Sequence, residues 1–131
     1  MSTTLLNSVT AGATAGLSNG FRVDIGGQGA VGISCQVTTG GADLASFGDK
    51  PLILYVQSSN FTDGPQTPAG IKDDLGGSGM IAIPLEIDTA SGGIKYTEDQ
   101  FVASGPVMYG YLDAREALSA DVTILVQALA L

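Results

Sequence analysis

The sequence predicts an all-β protein: an antiparallel β-sandwich or barrel-like domain with an extended N-terminal arm. Apolar and polar residues alternate with a period of two along several short segments, which is the pattern of half-buried strands. Clusters rich in glycine, together with proline, serine, threonine and aspartate, separate these segments and are typical of tight turns. The 131 residues include 19 glycines, and 44% are hydrophobic while 14% are charged, so we expect a folded domain with many turns.

The alternation is clearest in two early segments. In FRVDI, residues 21, 23 and 25 share an apolar face, and in AVGISCQV residues 31, 33, 35 and 37 do the same. Four further strands are predicted in PLILYVQS, MIAIPLEI, PVMYGYLDA and DVTILVQAL. Pro84 interrupts MIAIPLEI and places that segment at a sheet edge or a bulge. DAREALSAD has a helical composition, but we interpret it as a strand end followed by a turn.

We divide the chain into residues 1–16, an N-terminal arm or first strand, and residues 17–131, a single β-sandwich domain. Residues 1–21 and 122–131 carry no charged side chain. A solvated tail usually carries charge or proline. We therefore expect these segments to pack, either on the domain's own sheet or on a neighbouring subunit, and both alternatives stay open. Candidate interaction residues in the first segment and just after it are Leu5, Leu6, Val9 and Leu17.

The stretch DIGGQGAVGIS places Gly27, Gly29 and Gly32 at the spacing G-x-G-x-x-G of dinucleotide-binding loops. That motif requires a helix after the glycines, whose N-terminus receives the pyrophosphate. An alternating segment of strand type follows here instead. We interpret the glycines as the turn of a hairpin between residues 21–25 and 30–37.

No other segment indicates catalysis, so we predict that the protein is not an enzyme and holds no cofactor or metal. The sequence has no histidine and one cysteine, which excludes an intrachain disulfide. Cys35 lies in register with valine and isoleucine and is interpreted as a small buried hydrophobe. Asp63, Asp73 and Asp74 are interpreted as solvated acids of a long connection, with calcium binding as the alternative.

Tyr109 and Tyr111 share one face of a predicted strand and are also candidate interaction residues. Their rings could form a stacking platform for a sugar, which makes a carbohydrate-binding β-sandwich module an alternative function. We favour the interpretation that both are half-buried packing residues whose hydroxyl groups reach water.

The net charge of −8 argues against binding to nucleic acids and to anionic membranes. The first residues have neither a basic segment nor a long apolar run, so they do not have the pattern of a signal peptide. We expect the protein to be soluble and made in a cytoplasm.

Three stretches resemble a recurring pattern in small bacteriophage virion proteins: TTLLNSVTAGATAG, then FRVDIGGQGAVGISCQV, and finally GPVMYGYLDAREALSADVTILVQAL. The resemblance covers the early and late parts of the chain and omits the middle. It implies a β-sandwich structural protein of a phage particle. Within that group we favour the capsid decoration (cement) type, which stabilises the shell by binding across seams between major capsid protein subunits, because the chain is one compact domain without a fibrous repeat and its uncharged ends could clamp neighbouring capsomers. Proteins of this type are often trimers, so the resemblance also implies a homo-oligomer, with a trimer favoured, on the capsid surface of the virion. A tail or head-fibre component of the virion is the alternative.

Overall fold

The computed structural model describes residues 4–26, 29–40, 44, 51–73, 75, 80–90 and 92–130. Within these ranges the elements, in chain order, are β1 Thr4–Ala11, β2 Gly16–Leu17, β3 Phe21–Asp24, β4 Gly29–Thr38, β5 Leu52–Ser59, α1 Pro68–Asp73, β6 Ile81–Leu85, β7 Ile94–Ala103, β8 Val107–Ala114 and β9 Val122–Ala130. All pairings between these strands are antiparallel. The predicted all-β fold is therefore confirmed.

The strands form two sheets that pack face to face as a sandwich. The first sheet has the order β1-β9-β4-β7. In the second sheet β8, β5 and β6 lie side by side, and β2 and β3 both pair with β8. Among the described strands β6 pairs with β5 alone, so Pro84 lies in an edge strand of this sheet, which agrees with its predicted edge position.

The core lies between the sheets, and one face of each inner strand packs into it. The predicted apolar faces of residues 21–25 and 30–37 both point into it, so the period of two is confirmed for these segments. The first sheet contributes the alternating residues of β4 and β9, and the second contributes those of β5 and β8. The buried side chains of β4 and β9 are Val31, Ile33, Cys35, Val37, Val122, Ile124, Val126 and Ala128.

The predicted hairpin between residues 21–25 and 30–37 is wrong. Strand β3 pairs with β8 in the second sheet, whereas β4 lies between β9 and β7 in the first. Both strands turn their apolar faces into one core, so they line it from opposite sheets rather than sharing hydrogen bonds. The glycine-rich stretch is a crossover between the sheets, and Gly26 and Gly29 supply positive φ angles of 80° and 115° there.

Three described elements have no counterpart in the sequence prediction: the two-residue strand β2, strand β7 and helix α1. Strand β7 lacks apolar alternation because most of its residues are exposed at a sheet edge. Helix α1 begins with Pro68, and the Thr67 hydroxyl accepts a hydrogen bond of 3.2 Å from the Gly70 N–H, as in a capped helix start. Residues 115–121 form bends and irregular backbone with no helix, and residues 113 and 114 end β8, in agreement with our interpretation of DAREALSAD as a strand end and a connection.

Candidate interaction surface

The fold brings the two uncharged segments of the sequence together at one edge of the first sheet. Strand β1 pairs with β9 from Thr4, opposite Leu129, to Ala11, opposite Val122. Neither strand contains a charged residue. Strand β9 also pairs with β4, whereas β1 has no second partner among the described strands. We call β1 and β9 the uncharged edge.

The opposite edge of the same sheet is charged. Strand β7 lies there with Lys95, Glu98 and Asp99, and among the described strands it pairs with β4 alone. Charged side chains on an edge strand hinder its pairing with another chain. Strand β7 therefore has the protection expected of an edge that stays in solvent, and the uncharged edge lacks this protection.

The first group of predicted interaction residues lies at or near the uncharged edge. Leu5, Leu6 and Val9 are all within the stretch of β1 that pairs with β9. Leu17 lies in β2 and is 58% exposed. An open cavity of about 200 Å³ is lined by both Thr10 and Leu17, so the end of β1 and strand β2 border the same depression.

The turn after β1 is held by the segment that precedes β9. The Ala13 N–H donates a hydrogen bond of 2.9 Å to Oδ1 of Asp121, and the Leu118 N–H donates one of 2.8 Å to the Gly12 carbonyl oxygen. Gly12 has a φ of 116°, and a side chain there would also meet Leu118. The exit of β1 is thus fixed to the start of its partner strand.

Tyr109 and Tyr111 do not lie on this surface, which corrects our expectation that they contribute to an interaction site. Tyr109 is 0% exposed, and Tyr111 is also buried and stacks on Tyr55 with the ring centroids 5.3 Å apart. The connection that carries α1 covers their side of the second sheet and forms a second hydrophobic cluster with them. Packing within the domain accounts for both rings, as we favoured, but the expectation that they are only half-buried is wrong. The Tyr109 hydroxyl bonds backbone groups of Phe61 and Gly64 rather than reaching water.

Among the described residues, burial raises the pKa values of the Cys35 and Tyr111 side chains. The predicted burial of Cys35 is confirmed, and it raises the pKa of the thiol from 9.0 to about 12. Burial also raises the pKa of Tyr111, and the charges of Tyr55, Asp113 and Asp73 act in the same direction. The Cys35 sulfur is therefore a protonated core group at neutral pH and not a thiolate nucleophile.

The glycines of the G-x-G-x-x-G spacing do not have the surroundings of a nucleotide site. Gly29 begins β4 and Gly32 lies inside it, while Gly27 falls outside the described residues. A strand follows the glycines, so no helix N-terminus faces a pyrophosphate at this point.

Two of the three acids of the long connection are exposed, as our interpretation of solvated acids expects. Asp63 and Asp73 are exposed, and Asp74 lies outside the described residues. Over the ranges that the structure describes, no three cysteine, aspartate or glutamate side chains are arranged to hold a metal ion.

An open trough of about 600 Å³ lies on the outward face of the first sheet. Its floor is β4 at Gly32 and Ser34, and its walls include Gln127 of β9 and Glu98 and Gln100 of β7. The amino-acid pattern does not predict this trough, because β7 is mostly exposed and shows no apolar alternation. Without β7 there is no second wall, and Gln127 alone is an ordinary polar residue in a strand.

Comparison of the chain with known protein families and with curated proteins finds no match. Among the described residues, no helix has the length and the hydropathy that a membrane span requires.

Proposed function

We propose that the chain is a virion structural protein, a bacteriophage capsid decoration (cement) protein that binds across the seams between major capsid protein subunits. The observation that carries this proposal is the uncharged edge at β1. The resemblance of the early and late stretches to small phage virion proteins supports the same assignment. In this account the protein is made in the host cytoplasm and works on the capsid surface.

The uncharged edge has the chemistry of a buried contact. An edge strand presents unpaired backbone N–H and C=O groups, and proteins that stay monomeric usually guard it with charges, proline or a bulge. Strand β1 has none of these charges in a protein whose net charge is −8. Charged residues are depleted at the centre of protein interfaces, so this edge fits a partner better than it fits water.

The mechanism in this proposal is physical and forms no bond. A strand or a flat surface of the capsid protein covers β1, and backbone hydrogen bonds extend the first sheet. Burial contributes about 25 cal/mol per Å² of apolar surface, over an interface of about 1,600 Å² in the standard case. The partners lose entropy and hydration on binding, so only part of the free energy gained by burial appears as affinity. A trimer would multiply the contacts and raise the avidity at each seam.

The charged edge at β7 takes the outward position in this arrangement. Glu98 and Asp99 lie there, and the acidic charge keeps neighbouring particles apart in solution. The two edges of the first sheet then have separate roles: one for attachment and one for solubility.

A charge placed on the uncharged edge tests the proposal. Thr10 is exposed in β1, and Thr89 is exposed in the loop before β7, so Thr10→Lys and Thr89→Lys are a matched pair. Co-sedimentation with capsids assembled from the major capsid protein of the same phage measures binding. We expect Thr89→Lys to bind like the unmodified chain, and Thr10→Lys to bind at least tenfold more weakly, which is about 1.4 kcal/mol.

The mass of the protein in solution gives a second test. A trimer is expected from the resemblance, and binding to capsids is expected whatever the oligomeric state. Binding to phage tails or fibres instead of capsids would replace the decoration assignment with the alternative one. A monomer that binds no part of the virion would contradict the proposal.

A further inference from the structure

The trough on the first sheet has a shape fixed by the register of three strands. Gly32 lies between Leu129 and Gln100, and the next outward residue of β4, Ser34, lies between Gln127 and Glu98. Adjacent strands lie about 4.8 Å apart, so the walls on β9 and β7 are roughly 10 Å apart. The floor is low because glycine has no side chain and that of serine is short. The trough therefore follows β4 and has the width of a single extended ligand chain.

The groups that line the trough both donate and accept hydrogen bonds. Gln100 and Gln127 on opposite walls each present a carbonyl oxygen and an NH₂ group. Ser34 on the floor adds a hydroxyl, and Glu98 adds an acceptor. Such a mixed set of planar polar groups matches neighbouring hydroxyl groups of a sugar ring, which also donate and accept.

An exposed aromatic ring extends this set along β7. Tyr96 lies opposite Gln36 in the register and is 67% exposed. It is two residues from Glu98 on the same outward face, which places it about 7 Å further along the strand. A tyrosine ring offers an apolar face with a polar tip, and such a face suits the C–H side of a pyranose ring.

The charge of the surface selects a neutral ligand. Among the residues that line the trough, the charged ones are Glu98 and Asp99, and both are acidic. Their carboxylates and the net charge of −8 repel phosphates, sulfates and sialic acids. A neutral chain avoids this repulsion and still makes the hydrogen bonds.

An extended peptide fits the trough less well than a sugar chain. Peptides that bind to sheets gain most of their affinity from backbone hydrogen bonds to a free strand edge. Strand β4 forms the floor, and it is paired with β9 on one side and β7 on the other, so its backbone groups are already used. We propose that this trough, with Tyr96 at one end, binds a neutral oligosaccharide. Covering β1 leaves the trough open, so this site is independent of the proposed capsid contact.

A glycan array tests the site with the full chain as probe. The array carries neutral oligomers of glucose, galactose, mannose and N-acetylglucosamine beside sialylated and sulfated glycans. We expect retention on at least one neutral series. The retained oligomer is then titrated into Gln100→Leu and Tyr96→Ala, with Gln66→Leu as the control because Gln66 is exposed in the connection over the other sheet. The first two variants should lose at least tenfold in affinity, and the control should lose none.

The tyrosine rings give a readout that reports the position of the ligand. The chain has four tyrosines and no tryptophan, and Tyr55, Tyr109 and Tyr111 belong to the cluster on the second sheet. Ring NMR signals of Tyr96 should shift on titration while those of Tyr109 stay in place. Silence on every neutral series, equal binding by all three variants, or preference for sialylated glycans or for peptides would overturn the proposal.

Discussion

The hydroxyl of Tyr109 donates a hydrogen bond of 2.6 Å to the carbonyl oxygen of Phe61 and thereby ties the connection after β5 to the middle of the second sheet. The same hydroxyl accepts a bond of 2.8 Å from the Gly64 N–H. Tyr109 is fully buried, so water does not compete for these bonds. Because this connection covers the outward side of β8, it is the first sheet that keeps an open outward face.

Replacing this tyrosine tests how firmly the connection is held. Tyr109→Phe leaves the Phe61 carbonyl and the Gly64 N–H without their partner, which should lower the free energy of unfolding by about 1–3 kcal/mol. Urea denaturation measures the change. Tyr111→Phe removes only a hydrogen bond to the sulfur of Met80 at 3.8 Å. The free energy of unfolding of this variant should therefore fall by less than about 1 kcal/mol. Equal losses in the two variants would show that the bonds of Tyr109 do not anchor the connection.

The buried thiol predicts a stability that depends on alkaline pH. The pKa of Cys35 rises from 9.0 to about 12 on burial, so the folded state keeps a proton that the unfolded state loses in this range. The contribution of the thiol to the free energy of unfolding is complete below pH 9. It falls as the pH rises towards 12, by at most about 1.4 kcal/mol per pH unit. Urea unfolding at pH 7 to 10.5 measures it.

Cys35→Ala is the control for this pH dependence. It removes the thiol but keeps Tyr111, whose raised pKa acts in the same alkaline range in both proteins. We expect the difference in stability between the two proteins to shrink above pH 9. A difference that stays constant with pH would contradict the raised pKa of the thiol.

Gly110 has no room for a side chain. It lies opposite Phe21 in the pairing of β3 and β8, and a Cβ atom would come within 2.6 Å of the Phe21 ring and 2.7 Å of the Tyr55 carbonyl oxygen. Gly110→Ala should lower the free energy of unfolding by about 1–3 kcal/mol. In a background of Phe21→Leu, which frees space, the same change should be less damaging, because contacting sites are not additive. Equal effects in both backgrounds would show that the ring is not the obstacle.

The sequence predicts those strands that have one buried and one exposed face. In residues 21–25 and 30–37 one face packs into the core, which requires apolar residues at alternate positions, and the sequence shows this alternation. It does not predict which strands pair, because the apolar faces of β3 and β4 look the same whether they adjoin in one sheet or lie in opposite sheets. Glycines occur both in hairpin turns and in crossovers between sheets, so the glycine-rich stretch alone does not distinguish the two.

The sequence pattern does not predict the trough, for a related reason. Strand β7 is exposed along most of its length, so burial leaves no periodic signal in IKYTEDQFVA. The lining of the trough comes from β4, β7 and β9, which are distant in the chain and meet only through the order of the first sheet. The uncharged edge, in contrast, is indicated in the sequence by two segments without charged residues, and the pairing of β1 with β9 brings these segments together.

Hydrogen–deuterium exchange on the protein bound to capsids tests the attachment through β1 most directly. In the free protein, one side of β1 has no strand partner among the described residues, so part of its backbone is open to solvent. The account predicts that capsid binding slows exchange in residues 4–11 and leaves residues 94–103 unchanged. Protection confined to residues 94–103, or binding with no change in residues 4–11, would contradict it.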